Sequence, residues 1–171
     1  VKDIPAANLT IFNSSLIFSS YEIYKSDGTP AGTTMIKDVN LRDVSGGFGH
    51  ARSVNSKLVF IASDSVTSSE LWGSDGTNIG TALIKDINPT GNPSVNEMVV
   101  SGSNVFFDAY VPGYHVELWK SNGTTGGTQL VKDINPGSNQ SGLRYPTDVN
   151  GTLFFSASHE TPNVELWKSD G

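Results

Sequence analysis

The residues of this chain that could do chemistry are few and widely spaced. Its three histidines, His50, His115 and His159, show no metal-ligand spacing such as His-Glu-x-x-His. Serine, aspartate and histidine all occur, but nothing in their spacing pairs them into a catalytic triad. The absence of cysteine excludes thiolate catalysis, disulfides and cysteine-ligated zinc. We therefore predict a protein that is not an enzyme, with no catalytic residue, no cofactor and no metal site.

Two kinds of charged segment could still bind an ion. Asp86–Gly91 and Asp133–Gly137 have oxygens at alternate positions, as a calcium loop does, but a proline interrupts each segment and the later bidentate acid is missing. Turns that end a strand explain them better. A Lys-Asp pair could line a channel, yet its recurrence in every unit favours strand-end contacts that are worth little when exposed. These pairs are Lys2-Asp3, Lys37-Asp38, Lys85-Asp86 and Lys132-Asp133.

The best candidates for binding lie in loops that differ between otherwise regular units. Three such loops, Asp64–Ser69, Tyr110–Val116 and His159–Val164, occupy equivalent places. Loops on a rigid scaffold commonly carry recognition, although random surface variation would also make them diverge. The residues that could form a ligand-binding face are Tyr110, Tyr114, His115, His159 and Glu160.

A repeated phrase must build the scaffold that positions these loops. The phrase reads Glu-Leu-Trp-x-Ser-Asp-Gly-Thr, and its glutamates are separated by 48, 47 and 48 residues. A period this regular indicates a repeating structural unit. Tyr24 replaces tryptophan in the first copy, and Asn122 replaces aspartate in the third. The glutamates are Glu22, Glu70, Glu117 and Glu165.

Each repeat reads as four short strands joined by tight turns. In the second repeat these are near Ala51–Asn55, Lys57–Ala62, Glu70–Ser74 and Thr81–Ile87, and Asp75-Gly76 is a strong hairpin signal. No stretch shows a sustained helical period. Four strands in a unit of this length are typical of a β-propeller blade, which we favour over a solenoid or a sandwich. The aromatic residues expected to pack between blades are Tyr24, Trp72, Trp119 and Trp167.

The fold prediction is therefore all-β: one β-propeller domain, 1–171, of four-stranded antiparallel blades. The first strand, Val1–Ile4, resembles the last strand of a unit, whereas the final unit stops after its third strand. Pairing of these N- and C-terminal strands would close a ring of four blades and remove exposed edges. The alternative is a slice of a larger propeller. The repeat units are 5–40, 41–88, 89–135 and 136–171, the last completed by 1–4.

Charge and hydropathy exclude two classes of partner. The formal net charge is −6, and the 11 lysines and arginines are scattered, which argues against binding to nucleic acid. No apolar run approaches the roughly 20 residues needed to cross a bilayer, so we predict no membrane insertion.

Three linked phrases together resemble the bacterial ELW-x-x-DGT repeat proteins. They are Glu-Leu-Trp-x-Ser-Asp-Gly-Thr, Gly-Thr-x-Leu-Val-Lys-Asp-Ile and Leu-Phe-Phe-Ser-Ala, and they recur in this order over nearly the whole chain. Tyr24 and Asn122 are the departures. The resemblance implies propeller-like domains in large exported or cell-surface bacterial proteins. It implies no particular activity and transfers no catalytic residue.

From the repeats and the variable loops we predict a non-enzymatic, secreted or cell-surface β-propeller. It would act as a binding or adhesion module for carbohydrate or protein, at a cell surface or in an extracellular matrix. The main alternative is a purely structural repeat module in a larger extracellular assembly, with self-association as a further option. The third hypothesis is that the protein is an enzyme, a propeller hydrolase or lyase.

Overall fold

The structure is a computed structural model that describes residues 2–40, 48–64, 66–137, 140–160 and 163–171. Within these ranges the chain forms fifteen strands and no helix. The strands are β1 (Ala7–Phe12), β2 (Ser15–Ser20), β3 (Glu22–Ser26), β4 (Thr34–Lys37), β5 (Gly49–Val54), β6 (Lys57–Ser63), β7 (Ser69–Ser74), β8 (Ala82–Lys85), β9 (Met98–Ser101), β10 (Asn104–Val111), β11 (His115–Ser121), β12 (Gln129–Lys132), β13 (Arg144–Val149), β14 (Thr152–Glu160) and β15 (Asn163–Ser169). None of the described segments is a helix that could span a membrane.

The strands form four antiparallel sheets in which neighbours in the chain are neighbours in space. The orders are β1-β2-β3-β4, β5-β6-β7-β8, β9-β10-β11-β12 and β13-β14-β15. The all-β prediction is confirmed, and each predicted repeat unit contains one sheet. The strands predicted for the second repeat agree with β5 to β8 within two residues at every end.

The expected pairing of the two ends of the chain is not seen. Val1 lies outside the described residues, Lys2–Ile4 belong to no strand, and the sheet β13-β14-β15 has three strands. The Ile4 N–H donates to the Lys2 carbonyl oxygen at 3.0 Å, which folds this segment into a tight turn. Pro5 follows and has no N–H to donate to a ladder. The predicted closing strand is therefore wrong for the described part of this segment.

The chain divides into two compact units, Val1–Asp86 and Ile87–Gly171, each containing two sheets. In the first unit, β1 lies beside β5. Aliphatic and aromatic side chains from both sheets form its core: Phe12, Ile17, Ile23, Ile36, Val39, Phe48, Leu58, Phe60, Ala62 and Trp72. Burial of this apolar surface is the main force that holds the two sheets together.

The second unit is built in the same way. Here β9 lies beside β13, so the first strands of successive sheets are again neighbours. Ser101 Oγ donates to Asp148 Oδ1 at 2.6 Å where these two strands end. The core residues shared by the two sheets are Phe106, Leu118, Ile134, Leu143, Leu153, Phe155 and Ala157.

Within each compact unit, the aromatic residue of the repeated phrase on the second sheet packs against the first sheet. Trp72 belongs to the core shared with β1–β4, and Trp167 packs against the core shared with β9–β12. The Lys132 ammonium group lies 5.4 Å from the centre of the Trp167 ring, at cation–π distance. These two contacts agree with the predicted position between repeats.

A closed set of hydrogen bonds explains the Ser-Asp-Gly-Thr part of the phrase. In the third repeat, Asn122 Oδ1 accepts from the Thr124 N–H at 3.1 Å and from the Thr124 hydroxyl at 2.7 Å. The Thr124 hydroxyl oxygen accepts from the Gly127 N–H at 3.0 Å. The hydroxyls of Ser121 and Thr128 lie 2.7 Å apart beneath the turn. We call this set the turn cassette.

The turn cassette recurs in the first and second repeats with aspartate in place of asparagine. Asp27 accepts from the N–H and hydroxyl of Thr29, and Asp75 accepts from the hydroxyl and N–H of Thr77. These donors hold the pKa of both carboxyl groups below the ordinary value. The repeated Asp-Gly or Asn-Gly predicts that Asp27, Asp75, Asn122 and Asp170 each cap their own turn by accepting backbone N–H bonds. The prediction is confirmed for the first three.

The cassette also explains a glycine five residues after the capping residue. A Cβ atom at Gly127 would overlap the Asn122 side chain, and the equivalent overlaps occur at Gly32 with Asp27 and at Gly80 with Asp75. The neighbouring Gly126 has open space around it. Gly127 is therefore required by close packing on the cap, whereas Gly126 is not.

We predict that Gly127→Ala lowers the free energy of unfolding by about 1–2 kcal/mol, because the added methyl group displaces Asn122 from its two hydrogen bonds. Urea denaturation measures the change. Gly126→Ala, one residue away in the same turn, is the matched control and should cost little.

The reason for that loss can be tested separately. In the Asn122→Ala background the overlap is gone, so Gly127→Ala should then cost much less than in the natural chain. Equal losses in the two backgrounds would mean that the glycine is needed for another reason.

Candidate functional site

Variable residues gather at one end of the second unit. The strands are antiparallel, so the end of β10, the start of β11, the start of β13 and the end of β14 share that end. Two hydrogen bonds join the segment before β13 to its neighbours there. The Ser141 N–H donates to the Val116 carbonyl oxygen at 3.1 Å, and the Ser158 N–H donates to the Ser141 carbonyl oxygen at 2.7 Å.

A polar cleft of about 390 Å³ opens at this end, between the sheets β9–β12 and β13–β15. Its lining combines two carboxylates, two side-chain amides, a guanidinium group and a phenol ring, with a few apolar residues. The lining residues are Asn96, Glu97, Asp108, Val116, Gln140, Gly142, Leu143, Arg144 and Tyr145. We call this the polar cleft.

Asp108 fixes one wall of the polar cleft. Its side chain is only 3% exposed, and it lies in the middle of β10. Oδ1 accepts from the N–H groups of Asn96 and Glu97 at 2.9 and 2.8 Å, and Oδ2 accepts from the Asn96 side-chain amide at 3.0 Å. Because these three donors come from one short segment, Asp108 holds that segment rigidly against the sheet.

Glu117 fixes the opposite wall through the segment that leads into β13. Its side chain is fully buried. Oε2 accepts from the Ile134 N–H at 2.8 Å, and Oε1 accepts from the Ser141 N–H at 3.1 Å. The first contact holds the chain after β12, and the second holds the start of the next repeat. This glutamate of the repeated phrase is therefore a positioning residue for the cleft.

The environment of Glu117 also makes it sensitive to pH. Burial raises the pKa of its carboxyl group above the ordinary value of 4.5, and the nearby Asp133 adds to the rise. The Ile134 N–H and the hydroxyl and N–H groups of Ser141 lower the pKa, but burial is the larger effect. The folded protein thus holds a proton on this group at pH values where the unfolded chain has lost it.

Tyr145 stands at the mouth of the polar cleft on a β-bulge. Its side chain is 78% exposed, and its backbone has φ of 56°. The pairing of β13 with β14 shifts register between Arg144 and Thr147, and the Thr147 hydroxyl donates to the Tyr145 carbonyl oxygen at 3.0 Å. A positive φ is unfavourable for a bulky residue, and bulges often aim a side chain toward a ligand. This strain makes Tyr145 the leading candidate contact.

The same bulge occurs in both sheets of the first unit, with a different residue each time. Asn8 has φ of 52° and His50 has φ of 50°, and each stands eight residues before the leucine of the following strand, as Tyr145 does. Asn8 and His50 line a smaller cavity of about 180 Å³. The bulge therefore has the same backbone conformation in three sheets, whereas the side chain at this position differs in each.

These bulge residues were not predicted from the sequence. The predicted binding residues lie in loops between second and third strands, whereas the bulge lies at the start of the first strand. A signal was present, because aligning the repeats on Leu16, Leu58 and Leu153 places three unlike polar residues at one position.

The predicted loop residues lie near the polar cleft without lining it. The rings of Tyr110 and His115 meet edge to face, 6.0 Å apart, at the tip of the β10–β11 hairpin, and Tyr114 beside them is about half exposed. His159 packs against Trp167 at 6.3 Å. Glu160 ends β14, and only its backbone is described. The four described side chains thus lie at the same end of the unit but form two separate groups. Tyr110, Tyr114 and His115 make one group, and His159 with Trp167 makes the other.

The chemistry available in the polar cleft is hydrogen bonding and stacking. Arg144 and the amide side chains can donate, Glu97 can accept, and the exposed Tyr145 ring offers a flat face. Asp108 is already committed to three donors. Within the described ranges, no three acidic, histidine or cysteine side chains are grouped so as to hold a metal ion.

Comparisons with known proteins support only the fold. No family model matches the chain, and no curated protein matches it. Among solved structures of propeller-like proteins, puromycin hydrolase superposes with a TM-score of 0.55 at 13% identity. The match covers 89% of this chain but 25% of the hydrolase chain, so this chain spans about a quarter of that protein's length.

Two computationally designed proteins are similar in the same sense. The Ika4 protein superposes with a TM-score of 0.51 at 15% identity, over 98% of this chain and 92% of its own. The Ika8 protein superposes with a TM-score of 0.50 at 15% identity, over 97% of this chain and 49% of its own. Identities this low carry the arrangement of strands and no activity.

We predict that Glu117 makes the folded protein less stable as pH rises above about 4.5, up to its raised folded-state pKa. In that window the folded state binds more protons than the unfolded state, so the free energy of unfolding must fall. Glu117→Gln removes the ionisation. As pH rises through this window, the unfolding free energy of the natural chain should therefore fall relative to that of the variant.

The variant also loses one acceptor for two buried N–H groups, which should cost about 1–3 kcal/mol at acidic pH. Urea denaturation over a pH series measures both effects. Glu165→Gln, at the same place in the phrase but exposed, is the matched control. A pH-independent difference for Glu117→Gln would contradict the assigned burial effect.

Proposed function

We propose that this chain is a non-enzymatic binding module for carbohydrate, built on a β-propeller. The observation that carries the proposal is the polar cleft with the strained, exposed Tyr145 at its mouth. Sugars are recognised by an aromatic face that packs on their C–H groups together with a few well-placed hydrogen-bonding side chains. Tyr145, Arg144 and Glu97 offer both features within one cleft.

The propeller is the arrangement that best accounts for the sheets. In each unit the first strands of successive sheets are neighbours, as inner strands of adjacent blades are, and the cores lie between the sheet faces. The solved structures of similar fold support the same arrangement. We further propose membership of the ELW-x-x-DGT repeat proteins and export to a cell surface or extracellular matrix, on the strength of the repeated phrases.

Two other functions compete with carbohydrate binding. A protein ligand could use the same exposed ring and guanidinium group, since tyrosine and arginine are favoured at interfaces. A structural role in a larger assembly is favoured by apolar faces that the first and last sheets leave exposed.

We predict that the protein binds a subset of glycans on an array and that Tyr145→Ala weakens this binding at least about tenfold, because the stacking face is lost. Tyr145→Phe should retain most of the affinity if the ring rather than the hydroxyl makes the contact. Isothermal titration with the best array ligand measures these changes.

Tyr21→Ala is the matched control, since Tyr21 is also an exposed tyrosine with positive φ but lies in the first unit. Its affinity should equal that of the natural chain. An empty array together with a productive protein pull-down that Tyr145→Ala abolishes would favour the protein ligand. Failure of both experiments would contradict a binding role for the cleft.

A further inference from the structure

Each sheet presents two faces that differ in what they contact. We call the face that packs on the next sheet in the chain the forward face, and the opposite one the backward face. In the second unit the forward face of β9–β12 carries Phe106 and Leu118, and the backward face of β13–β15 carries Leu153 and Phe155. The first unit repeats this contact between β1–β4 and β5–β8. The repeats therefore share one mode of sheet packing.

The last sheet leaves its forward face uncovered. Leu166 is 78% exposed, whereas its equivalents in the other repeats, Ile23, Leu71 and Leu118, are at most 1% exposed. Val164, which lies on the same face because strand side chains alternate, is also exposed. Val149 is 48% exposed, although its equivalents are buried. The residues that build the contact are thus present, but no residue in the described ranges covers them.

The first sheet leaves part of its backward face uncovered. Ile11 is paired with Leu16, and Met35 is paired with Tyr24, so these side chains share a face. Ile11 is 76% exposed and Met35 is 50% exposed. A cavity of about 460 Å³ opens on this face, and its lining includes Ile11, Leu16 and Phe18. Leu58, the equivalent of Leu16 in the second sheet, is fully buried in the core of the first unit, whereas Leu16 is only half-buried; Phe18 is itself buried.

The two uncovered faces are the two halves of the contact that the repeats already make. One half stands on the last sheet and the other on the first, so one chain can offer a forward face to the backward face of another. A polar contact agrees with this pairing. Lys25 on the forward face of the first sheet donates to the Gly76 carbonyl oxygen of the second sheet at 3.2 Å. The equivalent residues are both exposed: Lys168 lies on the forward face of the last sheet, and Gly28 lines the cavity on the backward face of the first. Exposed apolar surface of this kind marks an interaction site.

We propose that a second copy of this chain covers these faces, head to tail, with the last sheet of one copy packed on the first sheet of the next. Leu166 and Val164 of one copy enter the apolar cavity beside Ile11 of the other. Such a contact joins unlike surfaces, so it builds closed rings or open chains of copies instead of a symmetric pair. This inference is independent of the polar cleft and its ligand.

The mass of the protein in solution tests the association. The chain has a mass of 18.2 kDa, and light scattering after gel filtration should give at least twice that value, rising with protein concentration. A mass of one chain at every concentration would overturn the proposal, and would be expected if the two faces covered each other within one chain.

Two variants test which surfaces meet. Leu166→Glu blocks only the forward face, and Ile11→Lys blocks only the backward face, so each variant alone should have the mass of a single chain. An equal mixture should form dimers and nothing larger, because one intact forward face and one intact backward face remain. Association of Ile11→Lys alone, or no dimer in the mixture, would contradict the head-to-tail arrangement.

Ile79→Glu is the matched control, since Ile79 is 94% exposed in a turn cassette away from both faces. It should associate as the natural chain does. Circular dichroism and urea denaturation of all variants check folding, and the charges enter at positions that are already exposed to solvent. Loss of association in Ile79→Glu would mean that added negative charge alone prevents assembly.

Discussion

Hydrogen bonds from backbone N–H groups to the glutamate of the repeated phrase hold consecutive segments together in the first and third repeats. Glu22 accepts from the Val39 N–H at 2.6 Å, and Glu117 accepts from the Ile134 N–H at the same separation of seventeen residues. Each bond ties the third strand of a sheet to the chain that leaves its fourth strand. Glu117 also holds Ser141, at the entry to the next repeat. One side chain thus satisfies buried donors in the two places where the ladder ends.

The structure separates what is constant from what varies. The turn cassette recurs with the same contacts in three repeats, and Trp72 and Trp167 of the phrase both pack on the preceding sheet. The bulge at the start of the first strand has the same backbone in three sheets but carries asparagine, histidine or tyrosine at Asn8, His50 and Tyr145. A rigid frame with an exchangeable side chain at a strained position suits recognition.

The sequence predicted the features that depend on neighbours in the chain. The strands β5 to β8 and the Asp75 cap were predicted because alternation and turn chemistry are local. The polar cleft was not predicted, because it forms between two sheets and includes Asp108, which reads as part of an ordinary strand. Lys2–Ile4 was predicted as a strand from its likeness to Lys132–Ile134, but the following Pro5 and a local turn override that likeness. Register shifts and packing between sheets depend on contacts between distant segments, so no single segment of the sequence predicts them.

The turn cassette has a consequence for how the chain folds. All of its hydrogen bonds join residues within a span of eight, from Ser121 to Thr128 in the third repeat. Every sheet is then completed by hairpins between consecutive strands, so little loop-closure entropy opposes its formation. The first three sheets can each begin to form around their own cassette, and hairpins of this kind close in about 1–10 μs. Repetition therefore supplies several equivalent starting points for folding, one for each cassette.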